Sequence, residues 1–338
     1  MKRLLILFVF SLFGFTLLIT VNSLQAQRRD RQPIEEEEER PQGRASLSVL
    51  VDQIQVNVAV MNRKGNLIQG LDKRHFKLYE DKVEQEITHF GAVEAPLTAV
   101  MITEFSEAIP YEWVYESLMA SYTFVQQMRQ DDWLAVVGYD MRPEILVDFT
   151  QNKAEVYSSL QRMRRPVGRY SNLYDAVVDV IERVEEVEGK VALVLISSGL
   201  DTFSKINRDE AYKKIKSSNV VIYSVSIGGN YRNRYDAYID GFSRLDYLQA
   251  DSTLRAFAKY TGGHAYFPRF QAEYQNAFST ISAMLRNQYS LGYVSTNTNQ
   301  DGKYRKIKVE VQADIDGDGK TDKLKTQHRE GYQAAEKG

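Results

Sequence analysis

The stretch Leu97–Ala108, LTAVMITEFSEA, decides how the rest of the chain reads. Leu97, Ala99, Val100, Met101 and Ile102 form an apolar run of strand length without alternation, the pattern of a strand buried on both faces. Thr103, Glu104, Phe105, Ser106 and Glu107 make a polar cluster just beyond it, and a helix is predicted from Tyr111 to Met128. In an open α/β sheet, ligands bind in the crevice at the carboxyl ends of the strands. The first candidate site is therefore the cluster that follows this strand.

Outward from this strand, apolar runs and helical spacings alternate as far as Gln288. Strands are predicted at Trp133–Tyr139, Val191–Ile196, Val220–Ile227 and His264–Phe267. Helices are predicted at Lys153–Met163, Leu173–Val187, Asp209–Lys216, Thr253–Tyr260 and Ala272–Arg286. Ile145–Phe149, turned back by Asp140–Pro143, reads as an antiparallel edge strand. Such alternation implies a mainly parallel sheet covered by helices on both faces. Gly228–Gln249 interrupts it and reads as a long loop at the carboxyl-end face, a feature that is either functional or disordered. Its candidate partner-binding residues are Tyr231, Arg232, Arg234, Tyr235 and Tyr238.

Both flanks switch to period two. Leu47, Val49 and Val51, then Ile54, Val56, Val58 and Val60, alternate as in half-buried strands, with a slip at Asp52–Gln53. Phe76–Tyr79 and Gln85–Phe90 follow; after Tyr289 come Ser290–Val294, Ile307–Val311 and Leu324–Gly331. Neither set of strands is large enough to bury a good core alone. The expected organisation is a small antiparallel β module built from residues 46–95 and 289–335, with an α/β domain, residues 96–288, inserted in it.

Met1–Arg3 is basic, Leu4–Val21 is apolar and uncharged, and Asn22–Ala26 is small and polar. That is the pattern of a secretory signal peptide over residues 1–26, although the apolar run is also just long enough for a retained membrane anchor. Either version exports the rest, to the periplasm, the cell surface or the medium. Residues 27–45, with five consecutive glutamates from Glu35, read as a charged disordered linker.

A net charge of −2 gives no electrostatic footprint for nucleic acid. The absence of cysteine excludes a thiol nucleophile and a disulfide framework. His75, His89, His264 and His328 form no zinc motif. Ser197–Ser198–Gly199 lacks a nucleophile elbow, and no strand is followed by a dinucleotide fingerprint. The chain reads as non-catalytic, with a protein as its partner and a membrane contact only through an uncleaved N-terminal segment.

One further motif carries metal chemistry. Asp314, Asp316 and Asp318 occupy positions 1, 3 and 5 of a loop, Gly319 position 6 and Asp322 position 9. This is the first part of an EF-hand-like calcium loop, without the glutamate at position 12, where Lys325 stands. Four aspartates in nine residues repel one another unless a cation joins them, so Ca2+ is expected at 314–322.

The order of a β segment, a strand ending in an acidic-serine cluster, Ser171–Asn–Leu–Tyr–Asp–Ala176 and Leu195–Ile–Ser–Ser–Gly–Leu–Asp–Thr202 resembles the von Willebrand factor type A (vWA) domain. It looks closest to the exported bacterial proteins called VWFA-related. Gly70–Leu71–Asp72 with Phe76, Tyr79–Glu80–Asp81 and Gln85–Glu86–Ile87, and in the tail Thr261–Gly262–Gly263, Phe267–Pro268 and Gln288–Tyr289, match pieces of that family. The resemblance implies a Rossmann-like, doubly wound, mainly parallel sheet and a metal-ion-dependent adhesion site. The family pattern is Asp-x-Ser-x-Ser, a later Thr and a late Asp, which hold Mg2+ through oxygen. Those positions fall here on Glu104, Ser106, Ala108, Ser171 and Ser198. With one acid lengthened, one replaced by serine and one hydroxyl missing, the site reads as degenerate and is expected to hold no Mg2+. The resemblance implies adhesion or complex assembly, with the loops at 103–111, 168–172, 198–206 and 228–249 as the expected contact face. The alternative is an envelope scaffold in which this domain is a spacer and the β module makes the contacts.

Overall fold

The computed structural model describes residues 53–93, 96–163, 169–185, 187, 191–315 and 317–336. The predicted signal, the linker, the alternation at 47–51 and Asp316 lie outside the described residues. The chain opens with β1 (Gln53–Met61), β2 (Phe76–Glu80), β3 (Val83–Gln85) and β4 (Ile87–Val93). The inserted part begins with β5 (Thr98–Glu104), α1 (Tyr111–Gln127), β6 (Trp133–Tyr139), β7 (Pro143–Thr150), α2 (Lys153–Arg162) and α3 (Leu173–Val184). It continues through β8 (Val191–Ser197), α4 (Arg208–Ser217), β9 (Val221–Ser226), α5 (Gly229–Tyr235), α6 (Gly241–Thr261), β10 (Ala265–Tyr266) and α7 (Gln271–Arg286). The chain then gives β11 (Gln288–Val294), β12 (Tyr304–Val311), β13 (Lys325–Gln327) and β14 (Gly331–Gln333).

The strands of the inserted part run in the order β10-β9-β8-β5-β6-β7, all parallel except β7. Alternate residues of each central strand enter opposite cores. Ala99, Met101, Val136 and Val194 pack with α1 and α7, including Trp113, Phe124 and Phe278. Val100, Ile102, Val137 and Leu193 pack with α3, α4 and α6, including Val177, Ile215 and Phe257. Two buried faces explain the unbroken apolar runs. Because β5 has β6 on one side and β8 on the other, the strand order reverses at its carboxyl end, where Glu104 stands.

The remaining strands form two antiparallel sheets, β13-β1-β11-β4 and β14-β12-β2-β3. Each mixes both ends of the chain: β1 pairs with β11 and β13, and β12 pairs with β2. Val56, Val58, Leu78, Leu291, Tyr293 and Ile307 fill the space between them. The inserted part leaves from β4 and returns into β11, and these two strands are neighbours, with Gln288 opposite Val93.

Asp132 fastens that junction. Its buried carboxylate accepts from the backbone N–H of Leu97 at 2.8 Å and of Arg129 at 2.6 Å. Both outer guanidinium nitrogens of Arg286, the last residue of α7, also donate to it, one at 2.7 Å. Burial alone would raise the Asp132 carboxyl, but Arg286 and the two N–H groups outweigh it and hold the group below its ordinary value. One side chain thus ties the first residue before β5 to the end of α7.

Two elements differ from the sequence reading. The stretch predicted as a loop at 228–249 is largely helical, α5 followed by the first part of α6. Leu245 and Leu248 stay exposed on that first part, so it shows no buried stripe from which a helix could be read. The predicted strand 324–331 is two strands, β13 and β14, in different sheets. Buried Arg329 occupies the crossing and donates to the carbonyls of Lys216 and Gly331 and to Asn219 Oδ1.

Candidate functional site

Glu104 ends β5 with its side chain fully buried. One carboxyl oxygen accepts from Ser106 Oγ at 3.3 Å. The other accepts from the backbone N–H of Ser198 at 2.7 Å and from Ser197 Oγ at 3.3 Å. Tyr139 OH lies 2.7 Å from Ser197 Oγ, extending the chain of hydroxyls to β6. Burial raises the Glu104 carboxyl above its ordinary value, and hydrogen bonds from Ser198, Ser171 and Ser106 only partly offset this. No basic side chain is among those partners.

Ser171 is also fully buried, yet its hydroxyl donates to the Leu200 carbonyl at 3.1 Å. Its backbone N–H donates to Thr202 Oγ1 at 2.7 Å, and the Thr202 N–H donates back to its carbonyl at 2.8 Å. Ser198 Oγ accepts from the Leu200 N–H at 3.2 Å. Ala108, partly exposed, has no side-chain oxygen. Four of the five adhesion-site positions thus converge behind the loops, and their polar groups are engaged with one another or with backbone.

This donor set does not fit Mg2+. The ion demands near-octahedral oxygen at about 2.0–2.1 Å and normally takes carboxylates. Here the five positions supply one carboxyl group, which accepts from Ser106, Ser197 and the Ser198 N–H, and the Ser171 hydroxyl also donates to the Leu200 carbonyl.

Around the sealed polar centre the surface is aromatic. Tyr170 and Phe203 stack with centroids 5.1 Å apart and remain 45% and 62% exposed. The Ser171–Thr202 bonds, one residue from each ring, hold the two loops together. Tyr111 and Tyr115 stand exposed on the first turns of α1, Met141 in the β6–β7 turn, and Tyr238 is 86% exposed after α5. Between the β6–β7 turn, α2 and Phe105 is a cavity of about 410 Å3, lined by Tyr139, Arg142, Ile145 and Met163.

The five residues expected to contact a partner divide. Tyr231 packs on Trp113 and Tyr235, and Arg232 pairs with Asp251 at 3.0 Å and lies over Tyr247. Both help to build the domain. Arg234, Tyr235 and Tyr238 face solvent. Sequence reasoning missed Glu116, which anchors this region from α1: it accepts from the Gly228 N–H at 3.0 Å and from Tyr274 OH at 2.6 Å. Tyr170 and Phe203 lie in the loops 168–172 and 198–206 of the expected contact face, although the sequence singled out neither; their position beside Ser171 and Thr202 was the available signal.

At the aspartate loop, Asp314 accepts from the N–H groups of Gly317 and Gly319 at 2.7 and 2.8 Å. Asp322 accepts from Ile315 N–H at 2.8 Å, and Asp318 from Lys320 N–H at 2.8 Å. Among the described residues, which exclude Asp316, no three acidic or histidine side chains are grouped to hold a metal. Also among the described residues, no helix is long and apolar enough to cross a membrane.

Residues 100–239 match the family model of the von Willebrand factor type A domain. No curated protein matches the chain. Similar solved structures include the vWF domain of the type V pili tip protein Mfa5 from Porphyromonas gingivalis, 14% identical over 57% of this chain and 96% of that one, with a TM-score of 0.44. An aerotolerance-related membrane protein from Bacteroides fragilis is 14% identical over 55% of this chain and 98% of that one, with a TM-score of 0.40. The protein BatB from Bacteroides thetaiotaomicron is 12% identical over 56% and 100%, also with a TM-score of 0.40. The match runs from within β5 to just past α5 and takes in Glu104, Ser106, Ser171 and Ser198, so residues 100–239 of the inserted part are a von Willebrand factor type A domain, carried here between two halves of a β module.

Proposed function

We propose that this protein is a non-catalytic, exported binding protein, acting in adhesion or complex assembly, which docks a protein partner on the carboxyl-end face of its vWA domain without Mg2+. The observation that supports this most is the set of exposed aromatic side chains, Tyr111, Tyr115, Tyr170, Phe203 and Tyr238, around a polar centre closed to solvent. Aromatic residues dominate binding hot spots because they bury large area at low entropic cost, and loops already fastened lose less on binding. The basic-apolar-small start of the sequence supports export.

Site-specific photo-crosslinking in the producing cells tests the reading. Probes at Phe203 and Tyr238 are expected to give protein adducts that persist in EDTA, and a probe at Val83, exposed on the β module, none. Adducts from Val83 alone would favour the scaffold alternative. Adducts from Phe203 that vanish in EDTA would overturn metal-independent docking.

Calcium at residues 314–322 is a separate proposal, with Asp314, Asp316, Asp318 and Asp322 as ligands. The backbone N–H bonds to Asp314 curl the loop as an EF-hand-like site requires. Ca2+, but not Mg2+, should raise the thermal midpoint of the full chain, and Asp314→Ala should abolish the rise. An identical rise in that variant would remove calcium from this loop.

A further inference from the structure

We infer that the Glu104 carboxyl group takes over the cross-linking that a bound cation performs in an adhesion site, so that the loops of this face are assembled by a side chain of the chain itself. A divalent ion joins loops by drawing oxygen atoms from several of them at once. Glu104 does so with hydrogen bonds. It accepts from Ser106 in the loop after β5, from Ser197 at the end of β8, and from the Ser198 N–H that starts the next loop. Ser198 in turn accepts from Leu200, whose carbonyl receives the Ser171 hydroxyl. One carboxyl group therefore joins the loops after β5 and β8, and the Ser171–Leu200 bond ties the third loop to the second.

The residue differences from the family pattern fit this role together. Glutamate is one methylene longer than the aspartate of the pattern, and that length lets a residue at the end of β5 reach the Ser198 N–H. An aspartate at position 198 would set a second carboxylate against the first; serine there removes the repulsion and supplies a neutral neighbour. Ala108 is left with no ligand to offer and none is needed. The hydroxyl of Tyr139 supports Ser197 from β6, so the donors that reach the carboxyl from β8 and from the loop after β5 are backed from a third element. The inference stands on this geometry whether or not the face binds a protein.

The test is amide hydrogen exchange at Ser198 and Gly199 in the full chain, with and without Mn2+ as the probe cation, alongside Mn2+ calorimetry. In an Asp314→Ala background, which removes the proposed cation loop at 314–322, the chain is expected to bind no Mn2+, and exchange at Ser198 is expected to be the same with Mn2+ and in EDTA. Glu104→Gln keeps an oxygen for Ser198 and should stay within about twofold of it, whereas Glu104→Ala loses a buried acceptor and should exchange about tenfold faster at Ser198. The combined variant Glu104→Asp, Ala108→Ser, Ser198→Asp should bind Mn2+ and regain protection only with it. Mn2+ binding by the natural chain that slows exchange at Ser198 would overturn the inference, as would unchanged exchange in Glu104→Ala. Should Glu104→Ala fail to fold, Glu104→Gln decides: protection retained supports the hydrogen-bonded link, and protection lost overturns it. These outcomes do not depend on a partner, so they separate from failure of the docking reading.

Discussion

Two buried carboxyl groups mark the two ends of β5, and their surroundings differ in kind. Asp132, at the amino end, is gripped by the Arg286 guanidinium and lies below its ordinary value. Glu104, at the carboxyl end, is surrounded by hydroxyls and one N–H, and lies above its ordinary value. Both side chains are closed to solvent, but Glu104 lies deeper, so burial and partner act together: a fixed positive charge holds Asp132 in the ionised form, and neutral donors do not repay the larger desolvation of Glu104. The amino end, where the domain joins the β module, is closed by charge. The carboxyl end, where the domain meets its surroundings, is closed by hydrogen bonds.

The largest expected effect breaks the charged end. Arg286→Met leaves the Asp132 carboxylate buried with only the Leu97 and Arg129 N–H groups. Removing one partner of a buried pair costs about 3–5 kcal/mol. Urea unfolding should show that loss, and adding Asp132→Asn to the same chain should recover part of it, because a neutral amide needs no cation. A single-variant loss below about 1 kcal/mol would mean that the pair does not fasten the junction.

The neutral end should respond more weakly and with the opposite tolerance. Glu104→Gln is expected to cost about 1 kcal/mol or less, since an amide oxygen still accepts from Ser198. Asp132→Asn in the natural background should cost several times more, because it leaves Arg286 buried and unpaired. Equal losses in the two variants, measured by urea unfolding, would erase the contrast between the two ends.

What the sequence made legible follows from the same physics. β5, β6, β8 and β9 were readable because both of their faces are buried, which leaves few polar interruptions, such as Ser224 in β9. The shared β module was readable from period two at both flanks, since each of its sheets buries one face. The first part of α6 was not, because Leu245 and Leu248 face outward and give no buried periodicity. The adhesion-site positions could be assigned by order along the chain, but what they do depends on where hydroxyl hydrogens point. Ser171 belongs to the site by position and to the Leu200 carbonyl by hydrogen bond. Asp132 gave no signal, because its partner Arg286 is 154 residues away in the chain.

The smallest effect sharpens the comparison at a third place. His328, between β13 and β14, resembles Glu104 in being held by bonds that suit its neutral form. Its Nε2 accepts from the Val309 N–H at 3.2 Å, and its Nδ1 donates to the Arg329 carbonyl at 2.7 Å. Protonation would put a hydrogen on Nε2 and cancel the first bond, worth about 1 kcal/mol. Burial lowers the imidazole below its ordinary value of 6.5, and the Arg329 carbonyl and nearby Glu330 oppose the shift without reversing it. Glu330 is itself paired with Lys259, and the Arg329 guanidinium is occupied by carbonyls and Asn219, so neither is free to take up the new charge. His328 therefore contributes fully above pH 6.5, and its contribution is lost as pH falls through the lower native value. Asp132 follows the same sign further down: its contribution disappears only below its ordinary 3.8, as its depressed native value is passed. Thermal unfolding between pH 7 and pH 5 should thus report His328 without Asp132. His264, also lowered by burial, adds to the same slope, so His264→Asn serves as the background. In that background His328→Gln, which can still accept from Val309, should flatten the remaining slope. A slope unchanged by His328→Gln would show that the seam between β12 and β13 tolerates the charge, and would confine the comparison to the two carboxyl groups at the ends of β5.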